Sequence, residues 1–353
     1  MSFHFYTTLT AEFVPRMVVL HRSLQRSCRD FTLRVFCMDE AASRVIGRLG
    51  LPALTTVDAR ELEASDPALL EIKPTRTAGE YCWTAKASAA LYILERHPEV
   101  DLLTYVDSDL EFFHDPSPLY EELGDGSILL QPHRFSSPCE AELDGTYNAG
   151  FIAFRADANA TTVLHWWRER CLEWCFDDRS ERGRFADQKY LDQWPRLVPG
   201  VRPLSHPGAG LALWNVGTRE IHASYDTLSV SGSPVVYYHF SSLRLYRDSR
   251  ILHPLLRFGP YRSTRDPIPI VWSIYKFPPT DLKLFWDPYI QRLADAVATV
   301  RTTDPTAPDG IRRLPVSHLL VAAASRSVRA SVRSGRRLMK RARGARLPAG
   351  PGS

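Results

Sequence analysis

The chain has 353 residues, 44% hydrophobic and 24% charged, with a formal net charge of +4, the composition of an ordinary globular protein with room for one large domain or two small ones. No run of 18 apolar residues occurs, which excludes a transmembrane helix, and the six scattered cysteines (Cys28, Cys37, Cys82, Cys139, Cys171, Cys175) hold no CxxC pair and read as free buried thiols of a reducing cytosol. Eleven Lys and Arg lie beyond Asp309, where no acid occurs, so residues 1–309 carry a net charge of −7, and this argues against a body built to bind nucleic acid.

Taken in chain order, the first hundred residues alternate strand and helix signals. Phe3 to Thr8 is rich in aromatic and β-branched residues and reads as a strand that starts at once, with no basic-then-apolar leader before it. A helical pattern follows over Ala11–Ser27, then a strand over Thr32–Cys37 ending in Met38-Asp39-Glu40. Ala41–Leu49 reads as a helix stopped by Gly50 and Pro52, and Leu54–Val57 as a short strand before a capping Asp58. Gly79–Arg96 is a long helical run closed by His97-Pro98, and Leu102–Val106 is an apolar strand. This βαβα order predicts a mostly parallel sheet covered by helices.

Further on, Ser127–Gln131 and Gly150–Phe154 read as strands. Thr161–Phe176 reads as an amphipathic helix with Val163, Trp167, Cys171 and Trp174 on its core face. Arg184–Trp194 is expected as a short helix, and Val235–Tyr238 as a strand ending in His239. Residues 301–310, rich in Thr, Asp and Pro, read as a linker, 311–345 as a basic helix, and Leu347–Ser353 as a disordered end. No internal repeat is present.

The stretch that carries chemistry is Tyr105-Val106-Asp107-Ser108-Asp109. Ligands of open α/β sheets gather at the carboxyl ends of strands. Two carboxylates there repel each other unless a cation lies between them or one stays protonated. A divalent metal whose client is a diphosphate meets the first condition; a strand end followed by a solvated turn is the plainer alternative.

The order and spacing of several blocks carry a resemblance over roughly positions 1–245. They are Tyr81-Cys82-Trp83-Thr84, Tyr105 to Leu110, Tyr147-Asn148-Ala149-Gly150-Phe151, Phe185-Ala186-Asp187-Gln188-Lys189-Tyr190-Leu191, Gly208 to Asn215 and Tyr238-His239-Phe240. The chain resembles retaining glycosyltransferases of the GT-A fold, the glycogenin and lipooligosaccharide galactosyltransferase group. It is similar to bacterial nucleotide-diphospho-sugar transferases. The resemblance implies an α/β, GT-A-like (Rossmann-like) domain over 1–245, an extension packing on it over 246–300, and a linker, basic amphipathic helix and disordered end over 301–353.

It also implies roles. Asp107, Asp109 and a late His239 would hold Mn²⁺ or Mg²⁺, and a carboxylate-plus-imidazole set suits Mn²⁺ somewhat better. Asp187 would bind donor-sugar hydroxyls, and Gln188 would lie near the anomeric carbon, these two being the catalytic pair; Lys189 stands where the family often has a second acid. Asn148 and Gly150 suit sugar hydroxyls and close approach, with ordinary turn chemistry as the alternative. Tyr6 and Thr7-Thr8 would line the nucleotide, Tyr6 by stacking on the base, and Asp39 would bond base or ribose; plain strand-end residues is the other reading. Lys86 reads as a solvated helix lysine or as one that reaches a phosphate. Trp214 and Asn215 read as a sugar platform beside a close-approach loop, or as core.

The expected activity is transfer of a hexose from a nucleoside diphosphate sugar, with UDP-sugar the expected donor, to a glycan or glycolipid acceptor with retention. No nucleic acid is involved. The expected place is the cytoplasm, with the tail as a route to an anionic membrane surface. Three rival classes fit the pattern less well. A haloacid-type phosphatase wants a small hydroxyl residue after the second Asp, where Leu110-Glu111-Phe112 stands. A sugar nucleotidyltransferase wants a Gly-rich basic loop after the first strand, where Thr8-Leu9-Thr10-Ala11-Glu12 stands. A catalytically inactive glycan- or membrane-binding scaffold is opposed by the intact candidate residues.

Overall fold

The structure, a computed structural model, describes residues 2–135, 138–181, 183–224, 227–246, 261–262, 270–272 and 278–312. Eight strands come first: β1 (Phe3–Leu9), β2 (Phe31–Cys37), β3 (Leu54–Asp58), β4 (Leu102–Val106), β5 (Leu110–Phe112), β6 (Ile128–Pro132), β7 (Tyr147–Arg155) and β8 (Val201–Pro203). All but β5 join one seven-stranded sheet in the order β3-β2-β1-β4-β7-β6-β8. The β1, β2, β3 and β4 pairings are parallel, as is β6 with β8, while β7 runs antiparallel to both β4 and β6. The expected mostly parallel α/β sheet is therefore present.

Both faces of the central strands are covered, so β4, β6 and β7 are almost continuously buried, while the edge strands β3 and β8 are partly exposed. One core includes Phe5, Leu33, Val35 and Val106 with the helices Val14–Ser27 and Asp287–Thr303; the other includes Tyr6, Phe36, Tyr105 and Ile152 with the helices Ala78–Arg96 and Ala158–Glu173. The caps are local and legible. Asp39 and Asp58 accept backbone amides at the starts of their helices, and Gly50 takes φ 58° to end the first of these. Thr77 and Glu80 form a reciprocal capping box ahead of the long helix.

The remaining strands sit beside this sheet. β9 (Ile221–Ser224), β10 (Thr227–Val230) and β11 (Ser233–Pro234) form a small meander, and β12 (Tyr237–His239) pairs antiparallel with β5. β13 (Arg244–Tyr246), β14 (Tyr261–Arg262), β15 (Ile270–Trp272) and β16 (Ile311–Arg312) make a last sheet. Glu111 of β5 is fully buried and ion-pairs with Arg26 at 3.1 Å and Arg292 at 2.6 Å, tying β5 to the helices Val14–Ser27 and Asp287–Thr303.

Three expectations differ. The short helix over Arg184–Trp194 is a 3₁₀ turn, Lys189–Gln193, leading into Trp194–Leu197. The linker over 301–310 is not loose. Residues 301–303 end the Asp287–Thr303 helix, Asp304 is 2% exposed and pairs with Arg44 at 2.7 Å, and Arg301 pairs with Asp309. The basic helix over 311–345 begins instead as β16, Leu245 aligning with Ile311 while Arg312 reaches Glu12; the rest of that helix and the disordered end lie outside the described residues. Among the described residues, no helix is long and apolar enough to cross a membrane.

One buried acid makes a pH prediction. Asp281 is 2% exposed and accepts from Tyr238 Oη at 2.9 Å, which in turn accepts from Trp286 Nε1. Burial pushes its carboxyl up to about 7 from 3.8. The folded state thus favours the protonated form. That stability is fully present below the unfolded value near 4 and is lost as pH rises through about 7. The upper bound is about 4 kcal/mol over that window. Urea unfolding at pH 5 and pH 8 should show wild type losing more stability than Asp281→Asn; equal losses would place Asp281 in a wetter site.

Candidate active site

β4 ends at Val106, and the chain turns at once. Asp107 N–H donates to Gly150 O at 2.9 Å, and Leu110 N–H closes the turn on Asp107 O at 3.1 Å. This places both carboxylates at the carboxyl edge of the parallel strands. β12 then aligns His239 with Leu110, and Phe240 N–H bonds Asp109 O at 3.0 Å. Sequence positions 130 apart therefore meet. His239 Nε2 lies 3.1 Å from Asp109 Oδ1 and 3.5 Å from Asp107 Oδ2.

Asp107, Asp109 and His239 each offer one ligand atom, and these atoms all lie within 4.8 Å of one another. Two carboxylate oxygens and one imidazole nitrogen form a donor set that fits Mn²⁺ or Mg²⁺. Burial disfavours the His239 imidazolium, but the Asp109 carboxylate beside it outweighs that and its pKa rises. Burial likewise raises the Asp109 carboxyl, and His239 more than offsets this, so its pKa falls. Gly150 is needed here: a Cβ on it would lie 2.5 Å from His239 Cε1 and 2.8 Å from Asp107 Oδ2.

Lys86 is not solvated, which corrects the first of its two readings. It is 2% exposed, and its ammonium sits 2.9 Å from Asp187 Oδ2, 3.3 Å from Asp107 Oδ1 and 3.2 Å from Ala149 O. It also lies over the Tyr105 ring at 4.3 Å. Burial works against the charge, but Asp107 and Asp187 outweigh it and hold the pKa above the usual lysine range. At Asp187 burial wins over Lys86 and the carboxyl is pushed up. Asp187 is held by its backbone: Trp167 Nε1 donates to its carbonyl at 2.9 Å, and Ala186 before it takes φ 47°. Gln188, next in the chain, is half-buried.

Asn148 is buried at the start of β7 rather than in a turn before it. Its Oδ1 accepts from Gly150 N–H at 2.9 Å and its Nδ2 meets His133 Nε2 at 3.1 Å.

Other expected contacts are displaced. Tyr6 is 0% exposed, its ring edge-on to Tyr105, its hydroxyl bonded to Lys86 O, so no face is free to stack on a base. It lies in the body of β1, where both faces of a parallel strand are covered. Thr7 is equally buried, and Thr8 Oγ1 bonds Cys82 O. Both Asp39 oxygens are taken by backbone amides, Oδ1 by Ala42 and Oδ2 by Ala11, so it serves as a cap.

Trp214 is buried, donates to His133 O at 3.0 Å and packs edge-on to His239 at 5.5 Å. Asn215 is fully buried and donates to His133 O and Gly210 O. These two support the site from behind and form no platform. Sequence reasoning missed His133; the one available signal is its place at the end of strand β6, beside the sheet edge that carries the other polar residues.

No protein-family model matches the chain. Over 285 residues it is 34% identical to the uncharacterized protein YfnF of Bacillus subtilis, covering 78% of this chain and 91% of YfnF. It is 27% identical to the uncharacterized protein YfnD of the same organism over 325 residues, 90% of this chain and 98% of YfnD. Among solved structures it is similar to the galactosyltransferase LgtC in complex with donor and acceptor sugar analogues, at 15% identity and a TM-score of 0.45, over 68% of this chain and 87% of that one.

Proposed function

The chain belongs to the family of Bacillus subtilis YfnF, and from its mostly parallel α/β fold and the cluster at the sheet edge we propose that it is a GT-A-type, divalent-cation-dependent glycosyltransferase. It would move a hexose from a nucleoside diphosphate sugar, a UDP-sugar in the simplest case, to a glycan or glycolipid acceptor. The observation that carries this reading is the junction of two polar groups: Asp107, Asp109 and His239 on one side, and Asp187 on the other, joined through the buried Lys86.

Asp107, Asp109 and His239 would hold Mn²⁺ or Mg²⁺. When bound, such an ion supplies Lewis-acid neutralisation of the charge on a departing nucleoside diphosphate. Asp187 and Asn148 would offer a carboxylate and an amide N–H toward sugar hydroxyls, with Lys86 holding Asp187 and Asp107 in place. Gln188, half-buried, lies next to Asp187, where its amide would face the anomeric carbon. Retention by front-face attack is what the resemblance to retaining GT-A enzymes suggests: the acceptor oxygen would bond the anomeric carbon as the bond to the diphosphate breaks, and an oxygen of the departing diphosphate would take the acceptor proton.

The reading is tested by screening sugar nucleotides for Mn²⁺-dependent release of nucleoside diphosphate. Turnover with at least one donor, abolished by EDTA, is expected; no turnover and no Mn²⁺-dependent thermal stabilisation with any donor would overturn it. With the active donor, Gln188→Ala should lower kcat by about 10²-fold, the scale of one transition-state contact, while nucleoside diphosphate affinity stays within about twofold. Normal kcat with weakened nucleotide binding would remove Gln188 from the reaction centre.

The cytoplasmic face of an anionic membrane is the setting that fits ten Lys and Arg after Arg312 with no acid among them. Because Ile311 and Arg312 are tied to the body, the informative truncation ends at Arg312. It should fold and turn over a soluble acceptor, yet no longer sediment with phosphatidylglycerol vesicles at low salt. Equal sedimentation by both chains would contradict the membrane setting.

A further inference from the structure

His133 ends a chain of hydrogen bonds whose directions are fixed at both ends by the backbone. Its Nδ1 lies 2.9 Å from Gly145 O. A carbonyl only accepts, so Nδ1 carries the proton and Nε2 of the neutral ring is left as an acceptor. At the other end, Gly150 N–H only donates, and it meets the Asn148 side chain at 2.9 Å. The amide oxygen must therefore face Gly150, and the amide nitrogen faces His133 Nε2 at 3.1 Å. The run reads Gly145 O, His133 ring, Asn148 amide, Gly150 N–H, with a donor facing an acceptor at each of its three links.

We propose that His133 is a positioning residue for the sugar-binding amide: its Nε2 lone pair takes one N–H of Asn148, fixes the amide orientation, and leaves the second N–H as a donor toward the substrate. The inference rests on the glycosyltransferase reading of Asn148.

The surroundings hold His133 in this state. It is 3% exposed, stacked on Phe135 at 4.4 Å and 14°, and edge-on to Trp214 at 5.5 Å. Burial pushes its pKa down to about 3, so the ring stays neutral at any working pH. Its carbonyl accepts from Trp214 Nε1 and Asn215 Nδ2 at 3.0 and 2.8 Å. Trp214 packs on His239, so one residue supports both the amide and the imidazole of the site. Without the Nε2 acceptor, the Asn148 amide nitrogen would face an apolar ring, a loss that favours rotation of the amide.

Two measurements test this. The ¹⁵N resonances of the His133 imidazole in the full chain should report a protonated Nδ1 and bare Nε2, unchanged between pH 5 and pH 8. A proton on Nε2 would overturn the proposal whether or not any sugar is transferred. Next, His133→Phe should keep nucleoside diphosphate and Mn²⁺ affinity within about twofold while kcat falls about 10–100-fold, the usual cost of losing an orienting partner. His133→Gln, which restores an acceptor, should recover part of that loss. Full kcat in His133→Phe would overturn the role, and absence of wild-type turnover with every donor would instead overturn the glycosyltransferase reading.

Discussion

Replacing Asp109 or Asp107 by Asn is expected to lower sugar-nucleotide turnover by about 10²–10⁴-fold, the scale of several kcal/mol of charge stabilisation at a leaving diphosphate. The fold should survive. Asn keeps the size of Asp and one acceptor oxygen, so the 3.1 Å contact of position 109 with His239 and the turn hydrogen bonds, which use backbone atoms, remain available. What is lost is the anionic charge that the three-residue donor set needs for a divalent ion. Turnover within about twofold of wild type in either variant, with EDTA also without effect, would remove the metal from the reaction.

The second large effect is one of stability. Lys86→Met leaves Asp187, 3% exposed, and the Asp107 carboxylate without the cation they share. Breaking a buried ion pair by removing one partner costs about 3–5 kcal/mol, because an uncompensated charge stays behind. Urea unfolding should show a loss of that order. The double variant Lys86→Met with Asp187→Asn should recover part of it, since the stranded charge has gone, and the two changes should be strongly non-additive. A loss under about 1 kcal/mol in the single variant, or strict additivity in the double, would mean that water compensates Asp187.

Several parts of this arrangement were legible in the chain. The apolar run Leu102–Val106 ending in Asp107 marks a buried parallel strand and its carboxyl edge without further help. The capping role of Asp58 is equally plain, and its backbone bond is as expected; Asp39, read as a nucleotide contact or a plain strand-end residue, caps its helix instead. His239 is different: nothing within its own neighbourhood says that it faces Asp109, because the link is the antiparallel pairing of β12 with β5 across more than a hundred residues. Only the family resemblance pointed to it.

The solvated reading of Lys86 fails, although a lone lysine on a long helix is usually solvated. The Ala85-Lys86-Ala87-Ser88-Ala89-Ala90 run held the contrary signal. Small residues on several sides let this helix sit close to the sheet, and most of them are buried. A lysine among them has no route to solvent and must find carboxylates. Tyr6 failed for the reverse reason: aromatic rings near the end of a first strand suggest stacking, but a central parallel strand is covered on both faces. The helix Asp287–Thr303 went unassigned although Tyr289, Ile290, Leu293, Ala294, Val297 and Val300 keep helical spacing and are all buried.

The central claim is that Asp107, Asp109 and His239 form a cation site that serves a nucleoside diphosphate. Mn²⁺ binding followed by electron paramagnetic resonance, with and without UDP, tests it most directly. The wild-type chain should bind one Mn²⁺, more tightly when UDP is present, and Asp109→Asn should lose that binding while still unfolding in a single cooperative transition without metal. Equal Mn²⁺ affinity in the two proteins, or no effect of UDP on the wild type, would contradict the claim.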